Sequence, residues 1–179
     1  MGTKIHTTKK LEKLVKKLIR TDQSEDSGIL GTWKATLFYV NRKKCWLITN
    51  KKTKYNVILT NIKSSDLNCI EEIFKDTFYK QLVYDGIIME FEHLDFIMGR
   101  LDFLPTDNDR SMIGNQTDRL YTLNWWKIKY GSLENWPIKE ITNGMNKSFL
   151  QIGKVHKMSE YNYAIKEMKK LIWEYKKDV

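Results

Sequence analysis

Apolar positions recur at helical spacing near the start of the chain, where Leu11, Leu14, Val15 and Leu18 stand three or four apart. Lys9, Lys10, Lys13, Lys16, Lys17 and Arg20 fill the positions between them. Thr7 or Thr8 can cap the first turn, so an amphipathic helix over about 8–20 is predicted. The polar run TDQSEDSG interrupts the pattern, and the period then shortens. TWKATLFYV and CWLITN flank NRKK, and KYNVILT follows. β-branched and aromatic residues dominate all three segments, which predicts a hairpin and a third strand.

Helical spacing returns after Ser64, with Ile70, Ile73, Phe74, Phe78 and Leu82 on one face. Asn68 and Glu71 have the spacing of a capping box. GIIMEFEHLDFIMGRLDF reads as extended, with Gly99 at a turn or bulge. A long helix is predicted from Asp109 to Tyr130, ending at Gly131 as C-cap. ENWPIKEITNGMNKSFLQIGKV reads as irregular or weakly stranded. A last helix, about 159–176, carries Ile165, Met168, Leu171, Ile172 and Tyr175 on one side. With no Pro-rich linker, long repeat or low-complexity block, residues 1–179 read as one α+β domain. Its sheet is expected to be largely antiparallel with helices packed against it. A doubly wound parallel sheet is disfavoured, because the first three strands follow one another without helices between them.

Composition narrows the class. With 179 residues, 41% hydrophobic content and six Trp, the chain can bury a proper core. Its longest apolar runs, such as GIIMEF, are too short to cross a bilayer. The start lacks the apolar stretch of a secretory signal, and Gly2 lacks the Ser or Thr pattern of myristoylation. Cys45 and Cys69 show no paired spacing, which predicts reduced thiols and a cytoplasmic location. The net charge of +9 is uneven, at +10 for residues 1–60, −6 for 61–120 and +5 for 121–179. That asymmetry points to an anionic partner for one face. Against it, lysines outnumber arginines 26 to 5, and arginine is the better bidentate phosphate ligand. A merely solvated lysine surface is the competing reading.

The segments TKKLEKL, YVNRKKCWLITN, TKYNVIL and NDRSMIGNQTD, in this order, resemble the bacterial family known only as domain of unknown function 6933. The resemblance covers about Thr8 to Asp118 and rests on three motifs in the same order. Asp109 is inserted between Asn108 and Arg110, and Gln116 and Thr117 replace a Met-Asn pair of the family pattern. The family is uncharacterised, so the resemblance implies architecture and candidate positions but no reaction. A lineage found in bacteria and their phages and plasmids would suit host–phage or toxin–antitoxin conflict.

The candidate chemistry centres on NDRSMIGNQTDRL, where polar residues surround a bare glycine within a helix. Arg110, Gly114 and Asp118 stand four apart on one face, with Ser111 and Asn115 beside them. In one reading Arg110, Ser111 and free backbone N–H groups hold an anion at the helix start, while Gly114 gives a base or ribose clearance. In the other, Asp109 caps the helix itself, Gly114 touches the sheet and Arg110 pairs internally. Arg42, Lys43 and Lys44 at the hairpin tip could grip phosphate or simply be solvated. Of Trp33, Trp46, Trp125 and Trp126, at least two are expected to be buried. Trp125 and Trp126 cannot face the same way on a helix, so one is a candidate for base stacking.

Enzymatic constellations are poor. His6, His93 and His156 lack metal-ligand spacing. Glu90 and Glu92, on one face of an expected strand, could meet a divalent metal with Asp95 and Asp102, yet a wet acidic sheet face explains them as well. No cofactor or metal is called for. The resulting expectation is a non-enzymatic, cytoplasmic binding protein for a phosphate-bearing ligand, either a nucleotide signal or nucleic acid. Arg110, Ser111, Gly114, Asn115, Asp118, Arg42, Lys43 and Lys44 are its site residues. The alternatives are a protein-interaction module of antitoxin or inhibitor type, and a nuclease or nucleotide-processing enzyme using Glu90, Glu92 and His93. No membrane partner is expected.

Overall fold

The computed structural model describes residues 2–20, 28–153 and 157–177. Residues 21–27 and His156 lie outside them. The chain opens with strand β1 (Gly2–Thr7), helix α1 (Lys9–Leu14) and a 3-10 turn at Lys16–Leu18. Strands β2 (Thr32–Val40), β3 (Lys43–Asn50) and β4 (Asn56–Leu59) follow, then α2 (Ile70–Tyr84), α3 (Phe91–Met98) and β5 (Arg100–Leu104). The remainder is α4 (Arg110–Tyr130), α5 (Ile138–Asn146), the short strands β6 (Phe149–Gln151) and β7 (Tyr161–Tyr163), and α6 (Ala164–Lys177).

Five strands form one sheet in the order β4-β3-β2-β1-β5. The β2-β3-β4 meander is antiparallel, whereas β1 runs parallel to both β2 and β5. The sheet is therefore mixed: the expected antiparallel pairing holds for the meander and for the small β6–β7 sheet, but not for β1. Thr3, Ile5 and Thr7 of β1 are buried in strict alternation with Gly2, Lys4 and His6. The Thr3 and Thr7 hydroxyls donate to Met98 O at 2.7 Å and Leu104 O at 3.0 Å, tying β1 to the β5 flank.

Both faces are covered. On one, Ile5, Trp33, Ala35, Trp46, Ile48, Val57, Leu101 and Phe103 meet the apolar sides of α1, α2, α3 and α6. Trp33 lies edge-on to Phe74 and Phe78, with ring centroids 5.5 and 5.1 Å away. On the other, Phe38, Val40, Cys45, Leu47 and Ile58 pack with Leu123, Trp136, Ile141 and Met145. Both sheet edges are closed, which removes the usual template for strand addition. Along β5, Arg20 N–H donates to Phe103 O at 2.9 Å and the Glu71 carboxylate accepts Leu101 N–H at 3.2 Å. Along β4, Asn146 Oδ1 accepts Asn56 N–H at 2.8 Å.

Several expectations need correction. The region about 8–20 is not one helix but α1 and a 3-10 turn, preceded by β1, whose six-residue alternation is too short to stand out among lysines. Residues 91–98 are helical, not extended. Phe91 alternating with Glu90 and Glu92 mimics a strand, but the buried set Leu94, Ile97 and Met98 has helical spacing. Gly99 does turn the chain, at φ +57°. The stretch read as irregular contains α5, whose buried Ile141, Thr142, Met145 and Asn146 also follow helical spacing. Gly144 and two Asn, at 143 and 146, lower its propensity and hide it. The last helix starts at Ala164, not Ser159. Glu71 reaches the β5 edge and Lys75 rather than closing a capping box with Asn68.

Both cysteines are free, Cys45 buried and Cys69 exposed. Burial pushes the Cys45 thiol up, against weaker opposing contacts that include the nearby Lys127 charge. Thiol titration of the native protein is expected to label Cys69 promptly, and Cys45 only after unfolding. Equal rates at both positions would contradict this placement.

Candidate functional site

Helix α4 answers to its caps. Asp109 accepts Met112 N–H at 3.1 Å at the start. At the end Gly131 takes φ +63°, and its N–H donates to Lys127 O. Of its 21 residues only Met112, Gln116 and Leu123 are buried, so the helix touches the sheet along a narrow strip. Gln116 Nε2 spans β2 and β3, donating to Lys34 O at 2.8 Å with Thr49 Oγ1 at 3.2 Å and Leu47 O at 3.3 Å.

Beside this strip lies a cluster that sequence reading missed. Lys34, fully buried on β2, donates from Nζ to Asp107 Oδ1 at 2.7 Å. Lys51 bonds the other Asp107 oxygen and reaches Asp109 Oδ2 at 3.1 Å. Burial alone would raise the Asp107 carboxyl, but the two ammoniums overcome it and hold it well below the usual carboxylate range. For Lys51, burial works downward and loses to the Asp107 and Asp109 bonds, so the net shift is upward. Lys54, at φ +60°, is pushed down by burial, with Nζ 2.9 Å from Lys51 O and 3.1 Å from Met112 Sδ. Lys34 and Asp107 are 73 positions apart, which left no local signal.

The candidate residues fall as follows. Arg110, Ser111 and Asp118 are exposed. Gly114 is exposed, and a Cβ built there meets nothing within 4 Å. Asn115 is half-buried with its Oδ1 unpartnered. Asp107 and Asp109 thus put two carboxylates at the helix start, and Asp109 takes one of its free N–H groups. Arg42 forms the hairpin tip with Asn41, both at positive φ as a two-residue turn of mirror type requires. Lys43 pairs with Glu134, and Lys44 is half-buried. The tip is six strand residues beyond Lys34, or about 20 Å, so the structure does not bring Arg42, Lys43 and Lys44 to the start of α4.

Trp33 and Trp46 are buried, as expected for two of the four. Trp125 is 67% exposed, whereas Trp126 stacks on Tyr130 at 5.5 Å. Glu90 and Glu92 sit at the exposed start of α3 rather than on one strand face. Among the described residues no group of three His, Cys, Asp or Glu could hold a metal ion. His93 packs against Tyr175, 5.9 Å between ring centroids.

A cleft of about 270 Å³ lies between β5, the segment 17–20 and the first turn of α2. Leu18, Ile70, Leu101 and Phe103 line it with apolar surface, and Lys17, Arg20 and Arg100 surround them with cations. Asp102 Oδ1 lies within ion-pair distance of both arginines, 3.1 Å from Arg20 Nη1 and 3.6 Å from Arg100 Nε, without hydrogen-bond geometry to either. Glu71 also lines the wall, but its carboxylate is engaged by Lys75 and Leu101 N–H. Arg20 and Arg100 are half-exposed and lie far apart in sequence. Neither residue's neighbours announce the meeting.

Fold and surface together define an α+β protein built on a mixed five-stranded sheet, with an arginine-flanked cleft on one side and a sparsely buried helix on the other. The chain belongs to the family described as a domain of unknown function (DUF6933), which matches residues 4–167. The match extends past Asp118, where the motif resemblance faded, into α6. No curated protein and no solved structure matches the chain. No helix among the described residues is long and apolar enough to cross a membrane.

The Lys34–Asp107 pair yields a stability prediction. Asp107→Asn leaves a buried ammonium uncompensated and is expected to cost about 3–5 kcal/mol by denaturant titration. Because folding depresses the Asp107 pKa, its contribution is complete above the ordinary carboxylate value of about 4 and drains as pH falls below it. The wild type should therefore lose stability over that acid range more steeply than the variant. A loss below about 0.5 kcal/mol, typical of surface changes, would contradict the assignment.

Proposed function

We propose that this protein is a non-enzymatic binding protein for a small phosphate-bearing ligand of nucleotide size, held in the cleft at the β5 edge. One observation carries the reading. The chain has only 5 arginines against 26 lysines, and two of the five flank this one cleft. Arginine's planar fork matches phosphate oxygens, and the shared ion-pair contact with Asp102 keeps the two guanidiniums close to one another. Leu18 and Ile19, backed by the buried Ile70, Leu101 and Phe103, give one wall an apolar character suited to the edge of a base or similar group. The volume, about 270 Å³, falls just below the roughly 300 Å³ at which ligand pockets begin, so a mononucleotide suits it better than a polymer.

Arg110, Ser111, Gly114, Asn115 and Asp118 then serve something other than phosphate, since two carboxylates already occupy the start of α4. A nucleotide-signal reader in the cytoplasm would suit the host–phage or toxin–antitoxin setting that the family resemblance implies. The protein-interaction reading also has an observation in its favour, the open outer side of α4, which is exposed at Ile113, Tyr121, Trp125 and Ile128.

Thermal unfolding with a panel of nucleoside mono- and diphosphates tests the proposal. A ligand at a hundred times its dissociation constant adds about 2.7 kcal/mol, roughly 5–10 °C for a chain of this size. Arg20→Ala and Arg100→Ala are expected to remove that shift while leaving the unliganded melting temperature within a few degrees, because both side chains are half-exposed. Absence of any shift across the panel, or a shift that survives both substitutions, would refute the cleft as the site.

A further inference from the structure

The outer side of α4 has an order of its own. Gly114, Tyr121 and Ile128 stand seven residues apart, opposite the buried Met112, Gln116 and Leu123. A step of seven drifts by only about 20° around a helix, so the three form one nearly straight line. Thr117 and Trp125 flank Tyr121 at four residues on either side. Tyr121, Trp125 and Ile128 are 70%, 67% and 81% exposed. Gly114 has open space where a Cβ would stand, so nothing in this chain's own packing calls for a glycine there.

We infer that this line is the contact of a two-fold symmetric dimer, in which α4 packs antiparallel against α4 of a second copy across Tyr121. Antiparallel pairing about that residue sets each position opposite the one equally far on the other side. Gly114 then faces the partner's Ile128, while Trp125, on one flank of the line, lies over the partner's helix beside its Asp118. The large Ile128 thus meets the small Gly114 twice, once on each side of the axis, and Tyr121 meets its own copy at the axis. A single self-complementary patch is what a two-fold interface requires. It gives Gly114 the role the isolated chain does not: clearance for an isoleucine. Helices crossing at about 20° stay in contact over the span involved, about 21 Å from Gly114 to Ile128.

The area is sufficient. Aromatic side chains bury about 150–250 Å² each, so Tyr121 and Ile128 of the line together with the flanking Trp125 offer up to about 500 Å² per copy. Two copies reach the roughly 1,000 Å² that a specific interface needs. The observation is independent of the cleft, which lies at the β5 edge.

Sedimentation equilibrium over a concentration series tests it with four proteins. The wild type is expected to dimerise. Gly114→Ile puts two isoleucines in one place, and Ile128→Ala leaves a gap; each is expected to weaken the dimer at least about tenfold. The double variant restores a large side chain opposite a small one and is expected to regain affinity. Melting of Gly114→Ile at dilutions where all proteins are monomeric should be no lower than wild type, because isoleucine is the better helix former. A wild type that stays monomeric throughout, a Gly114→Ile protein that still dimerises, or a double variant that regains nothing would each overturn the inference.

Discussion

A buried ammonium with no freedom to reach water sets the terms for this half of the molecule. Lys34 is fully buried on β2, at 0% side-chain exposure. An unpaired charge there would cost several kcal/mol. Asp107 answers it at 2.7 Å and is itself shared with Lys51 on the turn after β3. Asp107 lies in the short link between β5 and α4, two residues before the Asp109 cap. Pairing Lys34 therefore fixes where α4 begins. Gln116, two turns further on, bonds the same strand at Lys34 O and fixes the helix direction.

With its start held by charge and amide contacts, α4 needs little apolar surface to stay in place. Three fully buried residues, with Leu120, Trp126 and Tyr130 partly buried beside them, seat a helix of 21. The arrangement frees the opposite side for Gly114, Tyr121, Trp125 and Ile128. Strand β5 connects this helix to the cleft: Asp102 pairs by charge with Arg20 and Arg100 on the strand, and Asp107 follows its end. The two surfaces that carry the proposals thus share a strand, while facing different surroundings.

What the sequence made legible was local. Asp109 and Gly131 mark α4 because N-caps and C-caps act within one turn. Asn41 and Arg42 mark the hairpin because a tight turn needs positive φ and residues that tolerate it. The capping reading of Asp109 was visible alongside the anion reading. Strand β1 was hidden by its length, α3 by a stretch that fits two periods at once, and α5 by residues of low helix propensity. The decisive contacts at a distance left no trace. Nothing near Lys34 announces Asp107, and nothing near Arg20 announces Arg100. A glycine on an exposed helical position was the one local oddity that pointed beyond the monomer.

The dependence of α4 on the buried pair is tested most directly by a double-mutant cycle at Lys34 and Asp107, read as unfolding free energy. Lys34→Met is expected to cost less than Asp107→Leu, because Lys51 still engages the carboxylate. Together the two changes remove both charges and should recover much of the loss, giving a coupling of at least about 2 kcal/mol. Losses that simply add, within about 0.5 kcal/mol, would show that the pair does not hold the helix and would contradict this account.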